Sequence, residues 1–139
     1  MAGTVKASNI QHDVSGVATT FKDGAGTEIG QLCKSWGNFN GLAGNVATRA
    51  SFNVSSFTRS AAGNYSVGFT NSMLDANYCV NGAVGTTEAS SGARIFELGH
   101  TYGTGASQPS FTTSSIRIEI NYTNNDAYDA THITMSINR

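Results

Sequence analysis

With 139 residues, the chain has room for one packed core and little more. Charged residues make up 12% of it and the formal net charge is -1, so there is no extended basic surface to neutralise a phosphate backbone, and nucleic acid is excluded as an expected partner. The apolar runs are only a few residues long, far short of the roughly 20 that a membrane-spanning helix needs, and no charged-then-apolar leader opens the chain; the expectation is a soluble protein without membrane contact or export signal.

Gly, Ser, Thr and Asn are abundant, whereas Leu, Lys and Glu are scarce, which disfavours long helices. The expected class is all-β: an antiparallel β-sandwich, jelly-roll-like, of about seven strands behind an extended N-terminal arm. The arm covers residues 1–29, where isolated apolar residues mix with turn formers such as Asp13-Val-Ser-Gly16 and Asp23-Gly-Ala-Gly26. Terminal segments order when a partner ties them down, so the arm is expected to dock on a neighbouring subunit or a larger assembly.

The sandwich is expected over residues 30–139, where apolar and polar residues begin to alternate with period two. The predicted strands are Gln31 to Asn40, Thr48 to Phe57, Asn64 to Thr70, Met73 to Val80, Ala93 to His100, Ser115 to Tyr122 and Thr131 to Asn138. In the first, Leu32 and Trp36 share one parity while Cys33 and Phe39 occupy the other, so both faces are partly covered. Turn chemistry separates most strands, at Ala61-Ala-Gly63, Asn81-Gly82, Ser90-Ser-Gly92, Gly103-Thr-Gly105 and Asn124-Asn-Asp126. The cleanest patterns come last. Ile116, Ile118 and Ile120 lie on one face with Arg117, Glu119 and Asn121 on the other, and Ile133, Met135 and Ile137 oppose His132, Thr134, Ser136 and Asn138. A slip of one residue would expose every one of those apolar side chains, so these strands are the expected core.

Catalysis needs a nucleophile with a base and an orienter, and no such constellation or GxSxG elbow stands out. No HxH, HExxH or CxxC spacing suggests a metal, and no Gly-rich loop opens a helix to cradle phosphate. No enzyme, metal site or cofactor is therefore expected. His12, His100 and His132 read as surface histidines. Asp126 and Asp129, beside Asn124 and Asn125, form an oxygen-rich loop that lacks the spaced ligands of an EF-hand and reads as a turn. Cys33 and Cys79 read as small buried hydrophobes, with a disulfide open if their strands are neighbours. The candidate recognition residues are Tyr102, Tyr122, Asn124, Asn125, Asp126 and Tyr128, in or beside loops, where aromatic faces sit next to adaptable hydrogen-bonding groups.

Gly3-Thr-Val-Lys6 with Asn9-Ile-Gln11, the run from Gly30-Gln-Leu-Cys-Lys-Ser-Trp-Gly-Asn-Phe-Asn-Gly41 through Arg49-Ala-Ser-Phe-Asn-Val-Ser55, and the segments Asn64-Tyr-Ser-Val-Gly-Phe-Thr70, Asp75-Ala-Asn-Tyr78, Ser115-Ile-Arg-Ile118 and Ile137-Asn-Arg139 carry a resemblance. Together they resemble tail-fibre-like virion proteins of bacteriophages that infect cyanobacteria and other aquatic bacteria. The resemblance implies a virion structural protein whose β-sandwich head, commonly trimeric, contacts the host surface. The expected partners are other copies of the chain, further virion proteins held through the arm, and a host glycan or surface protein. A second expectation is a capsid decoration protein that cements head subunits. No catalytic residue comes with the resemblance.

Overall fold

The computed structural model describes residues 20–85, 94–99, 111–122 and 126–138. Its contacts divide the chain after Leu32. In the first unit, β1 (Thr20–Lys22) and β2 (Glu28–Gln31) pair antiparallel. Asp23 closes their turn: its carboxylate accepts from the backbone N–H groups of Ala25 (2.9 Å) and Thr27 (2.8 Å), and Gly26 takes φ 85°, a conformation that glycine adopts without strain. This hairpin occupies part of the segment read as an extended arm, its turn at the expected Asp23-Gly-Ala-Gly26; the rest of that arm, residues 1–19, lies outside the described residues.

The second unit is an antiparallel β-sandwich. Its strands are β3 (Cys33–Asn40), β4 (Ala47–Phe52), β5 (Val54–Ala61), β6 (Asn64–Phe69), β7 (Cys79–Gly85), β8 (Arg94–Leu98), β9 (Ser115–Tyr122) and β10 (His132–Asn138). One four-stranded sheet runs β4-β3-β10-β7 and the other β5-β6-β9-β8. The arrangement is jelly-roll-like in that the first and last strands of the unit, β3 and β10, lie side by side while the β4–β5, β6–β7, β7–β8 and β9–β10 links cross between sheets.

The core forms where the inward parities of the two sheets meet. Phe39, Ile133, Met135 and Ile137 come from one sheet, and Tyr65, Val67, Ile116, Ile118 and Ile120 from the other; all are buried. Each such side chain contributes very roughly 1.5–3 kcal/mol by leaving water. The inward parity of β3 also holds Ser35 and Gly37, because Phe57 from the facing sheet lies where a larger residue would be: a Cβ on Gly37 would stand 2.3 Å from the Phe57 ring. Phe57 stacks on Phe39 with centroids 4.1 Å apart, and Phe39 meets Tyr65 edge to face at 5.4 Å.

Three sequence expectations are corrected. The predicted strand Thr48 to Phe57 is two strands, since Asn53 adopts φ 54° and turns the chain from one sheet into the other. Asparagine tolerates this left-handed backbone and here also fastens it. Its amide donates to the carbonyls of Lys34 (3.0 Å) and Asn71 (3.1 Å), and its side-chain oxygen accepts from the Asn71 N–H (2.7 Å). The predicted strand Met73 to Val80 begins only at Cys79, because residues 73–78 leave the ladder to plug one end of the core with Met73 and Tyr78. Asn81-Gly82 is no turn but the middle of β7, where a Cβ on Gly82 would stand 2.3 Å from the Phe96 ring.

Cys33 and Cys79 are free thiols, and neither is the buried hydrophobe expected: Cys33 is half-buried and Cys79 exposed. Both pair with Asn138, from opposite sides of β10, which sets them two strand spacings apart, roughly 10 Å and beyond the reach of a disulfide.

Candidate functional site

Of the six residues singled out as recognition candidates, Tyr122, Asp126 and Tyr128 come together where β9 ends, while Tyr102, Asn124 and Asn125 lie outside the described residues. The Tyr122 N–H donates to the Asp126 carbonyl and the Tyr128 N–H to the Ile120 carbonyl, both at 2.9 Å, which folds the segment after β9 back along the strand. The two rings sit 4.7 Å apart. Arg94, at the start of β8, lays its guanidinium 4.8 Å from the Tyr122 centroid and 4.3 Å from that of Tyr128, and donates to the Tyr122 hydroxyl at 3.1 Å. One face of each ring is thus already engaged within the protein, so the cluster acts first as a clasp between β8 and the β9–β10 link.

Asp129 is committed in the same way, and does not join Asp126 as an oxygen ligand. Its carboxylate accepts from Arg59 Nε (2.8 Å), the Gly63 N–H (2.9 Å), the Tyr65 hydroxyl (2.9 Å) and the Ala43 N–H (3.2 Å). It joins the β3–β4 loop, the β5–β6 turn and the β9–β10 link at one end of the sandwich. Burial alone pushes this carboxyl up, but the hydrogen bonds from Arg59, Gly63 and Tyr65 and the guanidinium charge outweigh burial and hold it below the usual carboxylate range. Burial, and then the Asp129 carboxylate, push the Tyr65 phenol well above its ordinary value. Among the described residues, no three His, Cys, Asp or Glu side chains gather as metal ligands.

A second set of exposed side chains lies on the outward face of the sheet β4-β3-β10-β7. Register places Phe52, Trp36, Ser136 and Asn81 in one row, a residue from each strand, all on the same side. The next row is Ala50, Asn38, Thr134 and Ala83. Trp36 is 40% exposed and Phe52 55%, although large aromatics are usually well buried. Beside them a shallow depression of about 300 Å³ is lined by Asn81, Ala83, Thr134 and Ser136 together with Gly82 and Met135. The Thr134 hydroxyl donates to the Ala83 carbonyl (3.3 Å), which leaves its lone pairs to accept from a ligand. Neither row carries a charge. Arg49, at their border, donates to Asn38 Oδ1 (3.4 Å) and to the Thr131 carbonyl (2.6 Å), and exposed His132 lies near Thr131 Oγ1 (3.1 Å).

Sequence reasoning missed this face because Leu32 and Trp36, the chain's sole tryptophan, on one parity and Cys33 and Phe39 on the other read as a strand covered on both faces. The available signal was the small parity beside it: Ser35 and Gly37 bracket Trp36 and mark the side on which another layer closes in. No protein-family model matches the chain, and neither curated proteins nor solved structures yielded a match to it.

Proposed function

We propose that this chain is a bacteriophage virion structural protein, the tip domain of a tail fibre that recognises the host surface by binding and without catalysis. The observation that carries the reading is the exposed row of Phe52, Trp36, Ser136 and Asn81 on a rigid sheet. Two aromatic rings held outward beside an amide and a hydroxyl suit recognition, because the rings give large contact area with little entropy to lose and the polar groups fix orientation. The resemblance of the segments named above to tail-fibre-like virion proteins supplies the setting. The domain works in this reading as a homotrimer in the virion, joined to other virion proteins through residues 1–29, with Tyr102, Tyr122, Asn124, Asn125, Asp126 and Tyr128 as further contacts.

Gold-labelled antibody on intact particles tests the position. Label at the fibre tips, together with binding of the purified protein to host cells and competition with infection, is the expected result. Label over the head, with binding to empty capsids and none to cells, overturns the tip reading and replaces it with capsid decoration.

A further inference from the structure

We infer that the outward face of the sheet β4-β3-β10-β7 is a binding site for a neutral oligosaccharide, with Trp36 and Phe52 as stacking platforms and Asn81, Ser136, Thr134 and Asn38 as the hydrogen-bonding groups. This deepens the host-surface reading and rests on it for the source of the ligand.

Three features select that occupant. The first is composition. A pyranose ring presents a face of weakly positive C–H groups and an edge of hydroxyls; the electron-rich face of an indole or phenyl ring matches the one, and amides and hydroxyls match the other. The two rows offer that mixture side by side, with aromatics on β3 and β4 and polar groups on β10 and β7 and, at Asn38, on β3. The second is charge. Neither row contains an ionised side chain; of the cations at their border, Arg49 is tied to Asn38 Oδ1 and the Thr131 carbonyl, and Lys34 lies one position further along β3 on the Trp36 parity, outside both rows. An anionic sugar or an acidic peptide would find no partner in the rows, whereas a neutral ligand requires none.

The third feature is size. Four strands at about 4.8 Å and a β10 of seven residues make a face of roughly 20 Å by 23 Å, about 450 Å² in projection. A stable protein interface covers about 800 Å² per partner, so a second copy seated on this face would need contacts well beyond it. A short glycan does not. The row itself spans about 14 Å between outer strand axes, the reach of a trisaccharide laid from Phe52 over Trp36 toward Asn81. The depression of about 300 Å³ at the β7–β10 side would receive the terminal residue.

Because the chain holds one tryptophan, its fluorescence reports this face directly. The full chain is titrated with linear neutral hexasaccharides of the gluco-, galacto- and manno-series and, in parallel, with sialylated and uronic-acid oligosaccharides of equal length. Saturable blue-shifted emission with at least one neutral series, and none with the acidic ones, is expected. Phe52→Ala and Asn81→Ala, which keep the reporter, should each weaken binding by about tenfold or more, while Ile95→Ala on the other sheet leaves it unchanged. Matched melting curves exclude misfolding as the cause, and Ser136→Ala provides a milder second variant should Phe52→Ala fail to fold. A blue shift that depends on protein concentration without sugar assigns the face to a second copy and overturns the proposal. Binding to host cells that Phe52→Ala and Asn81→Ala leave intact also overturns it, while the tip reading stands. Saturable binding of neutral sugar by a protein that ignores host cells keeps the glycan site and removes the tip reading.

Discussion

Replacing Asp129 with Asn keeps the shape of the side chain and removes its charge, and so isolates what the carboxylate does at the end of the sandwich. Four donors converge on it: Arg59 Nε, the N–H groups of Gly63 and Ala43, and the Tyr65 hydroxyl. The amide of Asn offers one acceptor oxygen and turns an NH₂ toward the remaining donors, so at least one donor meets a donor. Tyr65 is the least affected, since its hydroxyl also reaches the Gly41 carbonyl at 2.8 Å. Arg59 Nε, the Gly63 N–H and the Tyr65 hydroxyl all reach Oδ1, whereas Oδ2 serves Ala43 and a second contact of Arg59, so the Asn oxygen stands at Oδ1, its NH₂ faces the exposed Ala43 N–H, and each hydrogen bond that loses its charged acceptor weakens by about 1 kcal/mol. Summed over the bonds from Arg59, Gly63 and Tyr65, the total is about 3 kcal/mol, or a fall in Tm of roughly 10 °C for a domain of this size. The effect has a definite pH signature. The folded-state pKa of Asp129 lies below its unfolded value, so its contribution is present in full above the unfolded carboxylate pKa of about 3.9 and is lost as pH falls through the folded value. Differential scanning calorimetry of both proteins from pH 7 downward should therefore give a constant gap in Tm to about pH 5 and a shrinking gap below about pH 4. Equal Tm values at pH 7, or a gap that persists undiminished at the lowest pH, would refute the assigned role.

Asn53→Ala should cost about 2–3 kcal/mol by combining the left-handed backbone with the loss of three hydrogen bonds; Asn53→Gly, which keeps the backbone freedom, should cost less, as denaturant melts will show. Ile118→Asp places an unpaired charge in the core and should abolish folding, whereas Asn138→Asp, on the exposed parity of β10, should leave circular dichroism and Tm nearly unchanged. Gly82→Val should drive a side chain into Phe96 and lower Tm, and Phe96→Ala in the same chain should restore part of the loss. Light scattering at micromolar concentration should report a trimer, and a folded monomer there would remove threefold assembly.

The two last strands were legible because Ile116, Ile118 and Ile120, and then Ile133, Met135 and Ile137, repeat with the pleat itself. Other elements were hidden for physical reasons. The run through Phe52, Val54 and Phe57 keeps a strand-like composition across Asn53, and nothing in side-chain hydrophobicity records the sign of φ there. Gly82 looks like turn chemistry, yet the space it leaves is filled by Phe96 from the other sheet, a long-range fact. Tyr122 and Tyr128 could be paired by nearness in sequence, but the guanidinium that binds them comes from Arg94, a strand away. Met73 and Tyr78 are buried without belonging to a strand, so their apolar character suggested a strand that starts too early. The outward Trp36 was obscured because apolar residues on both parities of its strand read as two-sided burial, when the small Ser35 and Gly37 were the inward residues.

The most direct test of surface recognition is sedimentation of host cells with purified protein, comparing the wild type with the Trp36→Ala/Phe52→Ala double variant at matched Tm. Wild-type protein should pellet with the cells and delay infection, and the double variant, whose lost rings stand 40% and 55% exposed, should stay folded in the supernatant and leave infection unimpeded. Equal pelleting of the two proteins, or a wild type that never leaves the supernatant, would contradict the assignment of this sheet face to host recognition.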